Sequence, residues 1–194
     1  MLARSFYAGD AVEVAPRLLN KVLVRGPLAG RVVEVEAYRG QEDPASHAFR
    51  GRSKRNATMF EGPGRLYVYF TYGMHWCANV VCRPAGTAQA VLLRAVAPMA
   101  GVEAMWAARP RARRELDLAN GPAKLCQAFA VTGADDGADL VLGDRSLVLV
   151  DDGTPPPARP GVSGRVGITV GDKEPWRFFV PGDRHVSRGP HVRT

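Results

Sequence analysis

Lysine is scarce in this chain of 194 residues: of 26 basic residues only Lys21, Lys54, Lys124 and Lys173 are lysine. There are three cysteines, and an odd count without a repeating spacing excludes a disulfide framework. Cys77 and Cys82 lie near His75, but no CxxC pair accompanies them and no fourth ligand is evident. The thiols therefore read as buried and free, and neither a metal nor a cofactor is expected. Apolar runs such as Ala90-Val91-Leu92-Leu93 are far too short to cross a bilayer. Met1–Tyr7 lacks the apolar core of a signal peptide, which points to a cytoplasmic protein, nucleoid-associated if bacterial. No internal repeat or long linker divides the chain, so residues 1–194 read as one domain.

Hydrophobic residues make up 46% of the sequence, enough for a sizeable core without staples. The formal net charge is +7, carried mostly by arginine. Guanidinium forks bind phosphate bidentately and stack on bases, so this excess suits a polyanion. A GC-rich genome would also favour arginine, and charge alone does not decide. With 21 glycines and 15 prolines the fold should be rich in turns. Residues 151–160 form the clearest flexible surface loop, and residues 40–64 a second loop whose length suggests a function.

Strand signals dominate the middle. They cover 22–24, 31–38, 65–72, 76–82 and 88–97, with shorter stretches at 147–150, 165–170 and 177–180. Helical pieces are 15–19, 101–108 and 122–131, the last opened by Pro122 behind Asn120-Gly121. Clustered strands with flanking helices predict an α+β domain built on a mainly antiparallel, curved β-sheet.

Alternation in Val33-Glu34-Val35-Glu36-Ala37-Tyr38 puts two carboxylates and a phenol on one face, which unaided reads as a solvated strand face. Tyr67 and Tyr69 share a face, and Tyr72 sits beside Gly73 where the chain can turn. Such tyrosines are usually half-buried sheet residues, yet aromatic rings on a basic chain also suit base stacking. Asn79, between Ala78 and Val80, needs its amide satisfied. Arg94 interrupts an apolar strand and must meet a carboxylate, a phosphate or solvent. His47 alone would be a surface loop histidine.

Their combination is more informative. Glu34–Tyr38, Glu42–His47, Arg55–Phe60, Gly64–Tyr69 and Tyr72-Gly73-Met74 occur in one order, followed by Asn79, Val91–Arg94, Gly121–Gln127 and Arg177–Val180. This series closely resembles the alkyladenine (3-methyladenine) DNA glycosylase family, over nearly the whole chain. The resemblance implies an enzyme that flips alkylated or deaminated purines out of double-stranded DNA and hydrolyses the N-glycosidic bond. By resemblance Glu36 is the general base that activates water. Tyr38, His47 and Tyr69 would sandwich the extruded base, whose edge the His47 amide reads. Asn79 would obstruct the amino group of normal guanine, and Arg94 would lie near the flipped nucleotide. Tyr72 would wedge into the duplex, with Met74 and His75 along the minor groove; His75 stands where relatives can carry tyrosine.

These roles are physically coherent. A stacked base is unreachable and must be extruded, and an inserted tyrosine replaces lost stacking. No lysine falls in the pocket motifs, so a monofunctional glycosylase without Schiff-base chemistry is expected, and a one-domain lesion searcher is expected to act as a monomer. Three other readings stand beside it. One is a non-catalytic module for damaged DNA, which would not need Glu36. Another is a binding or modifying domain for structured RNA. The third is a sugar hydrolase using Glu34 and Glu36 as its carboxylate pair.

Overall fold

The computed structural model describes residues 1–189. The chain opens with a helix, α1 (Ala11–Leu18), whose N-terminus is capped by the Asp10 carboxylate accepting from the Val12 amide. That cap starts the helix four residues ahead of the sequence expectation. Ala11, Val14, Ala15 and Leu18 are its buried stripe.

The hairpin β1 (Val22–Arg25) and β2 (Leu28–Tyr38) follows, then β3 (Leu66–Thr71), β4 (His75–Cys82) and β5 (Gln89–Ala100). Two helices come next, α2 (Val102–Ala108) and α3 (Pro122–Ala128). Three short strands complete the set: β6 (Leu147–Val150), β7 (Gly161–Ser163) and β8 (Arg177–Phe179). α3 ends three residues earlier than expected, because the chain leaves helical geometry and Ala130 takes a φ of 52°.

All pairings between the strands are antiparallel, in one sheet ordered β3-β4-β5-β2-β1-β6. One edge of β2 pairs with β5 over most of its length. Its other edge is divided: residues 28–31 pair with β1 and residues 34–36 with β8, which in turn carries β7. The expected α+β sheet with flanking helices is therefore present, and none of the helices in the described residues is long and apolar enough to span a membrane.

Residues 165–170, expected as a strand, are not one; the pairing strand lies just before them at β7. Arg165 buries its guanidinium on Asp43, and the Val166 amide turns inward to the Glu36 carboxylate, so the backbone is committed elsewhere. The proline-rich loop after β6 is tied down at its root, by Lys21 to Asp151, Arg31 to Asp152 and Asn20 to the Pro155 carbonyl.

Candidate active site

The sheet register explains how residues far apart in sequence meet. Tyr67 on β3 lies opposite Asn79 on β4, Asn79 opposite Leu92 on β5, and Leu92 opposite Glu36 on β2. Arg177 on β8 continues the row from Glu36. Residues directly opposite share a face, so one line across five strands carries much of the site. One row away, Tyr69 stands opposite Cys77.

Above this face is a cavity of about 360 Å³, within the range of small-molecule sites. Tyr38, His47, Tyr69, Tyr72, Asn79 and Arg94 all line it. Glu36 does not; it lies directly behind the lining formed by Tyr38, Arg94 and Val166. Met74 and His75 also lie off the cavity, on the β3–β4 hairpin.

The carboxylate face of β2 is not solvated: Glu34 and Glu36 are both 0% exposed. Two register shifts flank Glu34. Val33 is extra on β2, and Arg94 is the unmatched residue on β5. Such bulges re-aim side chains, and here Arg94 reaches both carboxylates. Its Nε donates to Glu34 Oε1 at 2.7 Å and its Nη1 lies 3.2 Å from Glu36 Oε1.

Glu34 is saturated by further donors: Arg177 Nε at 2.7 Å, the Ser187 hydroxyl at 2.8 Å and the Ser187 amide at 2.6 Å. Burial pushes its carboxyl up, but Arg94 and Arg177 outweigh that and hold it below the usual range. A carboxylate so fully engaged cannot serve as the second member of an acid–base pair, which removes the sugar-hydrolase arrangement.

Glu36 Oε1 accepts the Val166 amide at 2.7 Å, and Oε2 accepts the Tyr38 hydroxyl at 3.1 Å. Burial, helped by the Glu36 charge, raises the Tyr38 phenol well above its ordinary value, so the phenol keeps the proton it donates. Behind Tyr38 stands Arg165, its guanidinium 4.6 Å from the ring centroid and gripped by Asp43 with neither side chain exposed. This clamp joins the loop that carries His47 to the loop that carries Val166.

His47 packs edge-on against Tyr69, ring centroids 4.4 Å apart, and its Nδ1 lies 3.0 Å from the Tyr67 hydroxyl. Burial and the nearby Arg55 charge lower its pKa, favouring the neutral ring. Asn56 fixes the loop by donating to the carbonyls of His47 and Gly51. Asn79 donates to the Tyr67 carbonyl at 3.2 Å. Tyr67 stacks on Tyr69 at 5.5 Å, and burial pushes its phenol up to about 12. The Cys77 thiol is likewise raised by burial, so it lines the cavity as a neutral group.

At the hairpin tip, Tyr72 is 79% exposed and Met74 67%. Tyr72 and Gly73 have φ of 51° and 65° in a turn closed by the Met74 amide and the Thr71 carbonyl. Paired positive φ values suit hairpin turns, and the first is strained for a tyrosine. His75 lies opposite Thr71, and its Nδ1 is buried without a hydrogen-bond partner.

Sequence reasoning did not place Tyr67, Cys77, Leu92, Pro122 or the Val166–Ile168 loop in the site. Alternation had put Tyr67 on the face of Tyr69 without assigning it to the pocket, and pairing β3 with β4 about the Tyr72-Gly73 turn would have added Cys77. Nothing in the sequence signals the Arg165–Asp43 clamp, which joins residues 122 positions apart.

Residues 5–184 match the family described as methylpurine-DNA glycosylase. A Burkholderia lata protein with the provisional name 3-methyladenine DNA glycosylase is 54% identical over 194 residues, covering 100% of this chain and 93% of its own. Relatives of the same name from Frankia casuarinae and Carboxydothermus hydrogenoformans are 47% and 44% identical, over 95% and 97% of this chain and 91% and 99% of theirs. With that extent of match, the chain belongs to the methylpurine-DNA glycosylase family and is a DNA N-glycosylase.

Proposed function

We propose that this protein, acting as a monomer beside the chromosome, flips alkylated purines out of duplex DNA and hydrolyses the N-glycosidic bond with a water activated by Glu36. The observation that carries this reading is the placement of the buried, hydrogen-bonded Glu36 carboxylate directly behind a cavity walled by tyrosines. N-alkylated purines are cations. The electron-rich faces of Tyr38 and Tyr69 would attract them by about 0.5–2 kcal/mol, while the neutral His47 ring adds no repulsion.

The positive charge also makes the base a good leaving group. The C1′–N bond breaks with its electron pair going to the base, and the sugar becomes oxocarbenium-like. Glu36 stabilises that charge and takes a proton from water as the water oxygen bonds C1′. Arg94, Val166 and Tyr38 hold the carboxylate for this step. Asn79 borders the cavity where it would exclude the amino group of guanine, and the His47 amide would read the edge of the base. Tyr72 would fill the gap left in the duplex, with Met74 and His75 in the minor groove. Neutral lesions such as hypoxanthine or ethenoadenine would need a proton as they leave. The phenols of Tyr38, Tyr67 and Tyr69, raised by burial, are poor proton donors, so cationic lesions should rank first.

Support for a hydrolytic, monofunctional reaction comes from the absence of lysine among the cavity-lining residues. The deciding experiment compares base release from methylated duplex DNA, and from duplexes with one ethenoadenine or hypoxanthine, for the wild type and Glu36→Gln. Release by the wild type, lost in the variant with lesion binding retained, is expected. Tight binding with no release from any duplex would instead make the protein a damage sensor.

A further inference from the structure

Past β8 the chain returns over the back of the site, and residues 183–189 form a strap against the buried charges. Four of those charges lie together: Glu34, Glu36, Arg94 and Arg177, all less than a tenth exposed. Their formal charges sum to zero, and removing one partner from such a group leaves another stranded.

Ser187 meets this group with every polar atom it has. Its amide donates to Glu34 Oε2 at 2.6 Å and its hydroxyl to Glu34 Oε1 at 2.8 Å. The same hydroxyl oxygen accepts from Arg94 Nη2 at 3.3 Å, and its carbonyl accepts from Arg177 Nη2 at 2.9 Å. Two residues on, Gly189 passes so close to Arg177 that a Cβ there would sit 2.8 Å from the guanidinium carbon. The strap thus seats on both arginines and on the carboxylate between them. Ser187 also lies beyond residues 5–184, the span matched to the family.

The geometry points to Ser187 as a positioning residue for the reaction. It fixes the outer edge of Arg94, so that the inner edge of the same guanidinium stays on Glu36. A planar guanidinium cannot turn one edge without turning the other. Nε is held by Glu34, Nη2 by Ser187, and Nη1 then rests 3.2 Å from Glu36 Oε1. Without the serine hydroxyl Arg94 keeps its ion pairs but loses the contact that sets its rotation. Ser187 is partly exposed and touches Arg94 only from behind, so it acts through Arg94. This inference rests on the reading of Glu36 and Arg94 given above.

The test uses the full chain with Ser187→Ala and Ser187→Thr, and two independent readouts. The first is solvent exchange of the Arg94 Nη2 protons, which face the Ser187 hydroxyl, by nuclear magnetic resonance, which needs no activity. The second is single-turnover base release from methylated duplex DNA, alongside duplex affinity. In Ser187→Ala, Arg94 exchange should accelerate and release should slow by about tenfold, the scale of one hydrogen bond to a charged group. Affinity should change less than twofold, and Ser187→Thr should recover most of the rate. A tether that merely stabilises the fold would lower the melting temperature of Ser187→Ala and leave the rate per folded molecule intact. Unchanged Arg94 exchange, or unchanged release by the folded variant, overturns the proposal. A wild type that releases no base condemns the glycosylase mechanism, whereas the exchange measurement still judges the strap.

Discussion

The charged floor behind the cavity lining and the tip of the β3–β4 hairpin follow opposite rules. On the floor, Glu34, Glu36 and Arg94 are almost sealed from water, and each is held by several partners. At the tip, Tyr72 and Met74 present large apolar surfaces to solvent, and Tyr72 sits at a φ of 51°. A buried charge is tolerable only if paired, so the floor is built from residues that hold one another in place. An exposed aromatic on a strained turn contributes little to folding and is retained for what it meets outside. Substitutions should therefore separate the regions: floor variants lose chemistry or fold, and tip variants lose only DNA.

The largest effect should come from the clamp under the floor. Asp43→Ala strands the buried Arg165 and should cost about 3–5 kcal/mol of stability, readable by denaturant unfolding. A loss below 1 kcal/mol would show that the pair is dispensable. Next is Glu36→Gln, which should reduce base release by at least about a hundredfold, the scale of a lost general base, with the fold retained. Tyr72→Gly reverses the pattern. It should weaken lesion-duplex binding by about tenfold through lost stacking while raising stability by a few tenths of a kcal/mol, since glycine tolerates the turn. If Tyr72→Gly unfolded the protein, the contrast drawn between tip and floor would collapse.

Acid should break the floor before the tip. Glu34 is held below its unfolded value of 4.5, so its contribution to stability is complete above about pH 4.5 and is lost as pH falls through the lower folded value. Melting temperatures between pH 6 and pH 3 should fall for the wild type and less steeply for a folded Glu34→Gln variant. Salt acts on neither region's fold: affinity for duplex DNA should decline steeply as ionic strength rises, with little change in the rate of the bound complex.

How far the sequence foretold this contrast depends on the range of the interactions. The tip was legible because its signals are local: Tyr72 beside Gly73, between two alternating strands, reads as a hairpin without further knowledge. The strands of the floor were legible for the same reason, but their environment was not. Alternation put Glu34 and Glu36 on one face correctly, yet a solvated face was the plain reading. The residues that bury them (Arg94, Arg177 and Ser187) come from three distant segments. The mistaken strand at 165–170 has the same origin. Its apolar alternation is genuine, but Arg165 and Val166 are claimed by Asp43 and Glu36, over 100 residues earlier. What came from resemblance was six of the residues that line the cavity, Tyr38, His47, Tyr69, Tyr72, Asn79 and Arg94; what the resemblance did not supply was the support behind them.

The row Tyr67–Asn79–Leu92–Glu36–Arg177 has a consequence for how this chain can be altered. Each member is set by the pairing of its strand, so inserting one residue within β2, β3, β4 or β5 would swing one wall of the cavity to the other side of the sheet. Length changes and fused modules can be accommodated only where no member of the row depends on the spacing. The exposed stretch around Asp152–Pro157 meets that condition, anchored at its root and outside every strand that carries the row. A fluorescent reporter or affinity handle spliced there should leave base release intact, whereas one spliced between β3 and β4 should abolish it.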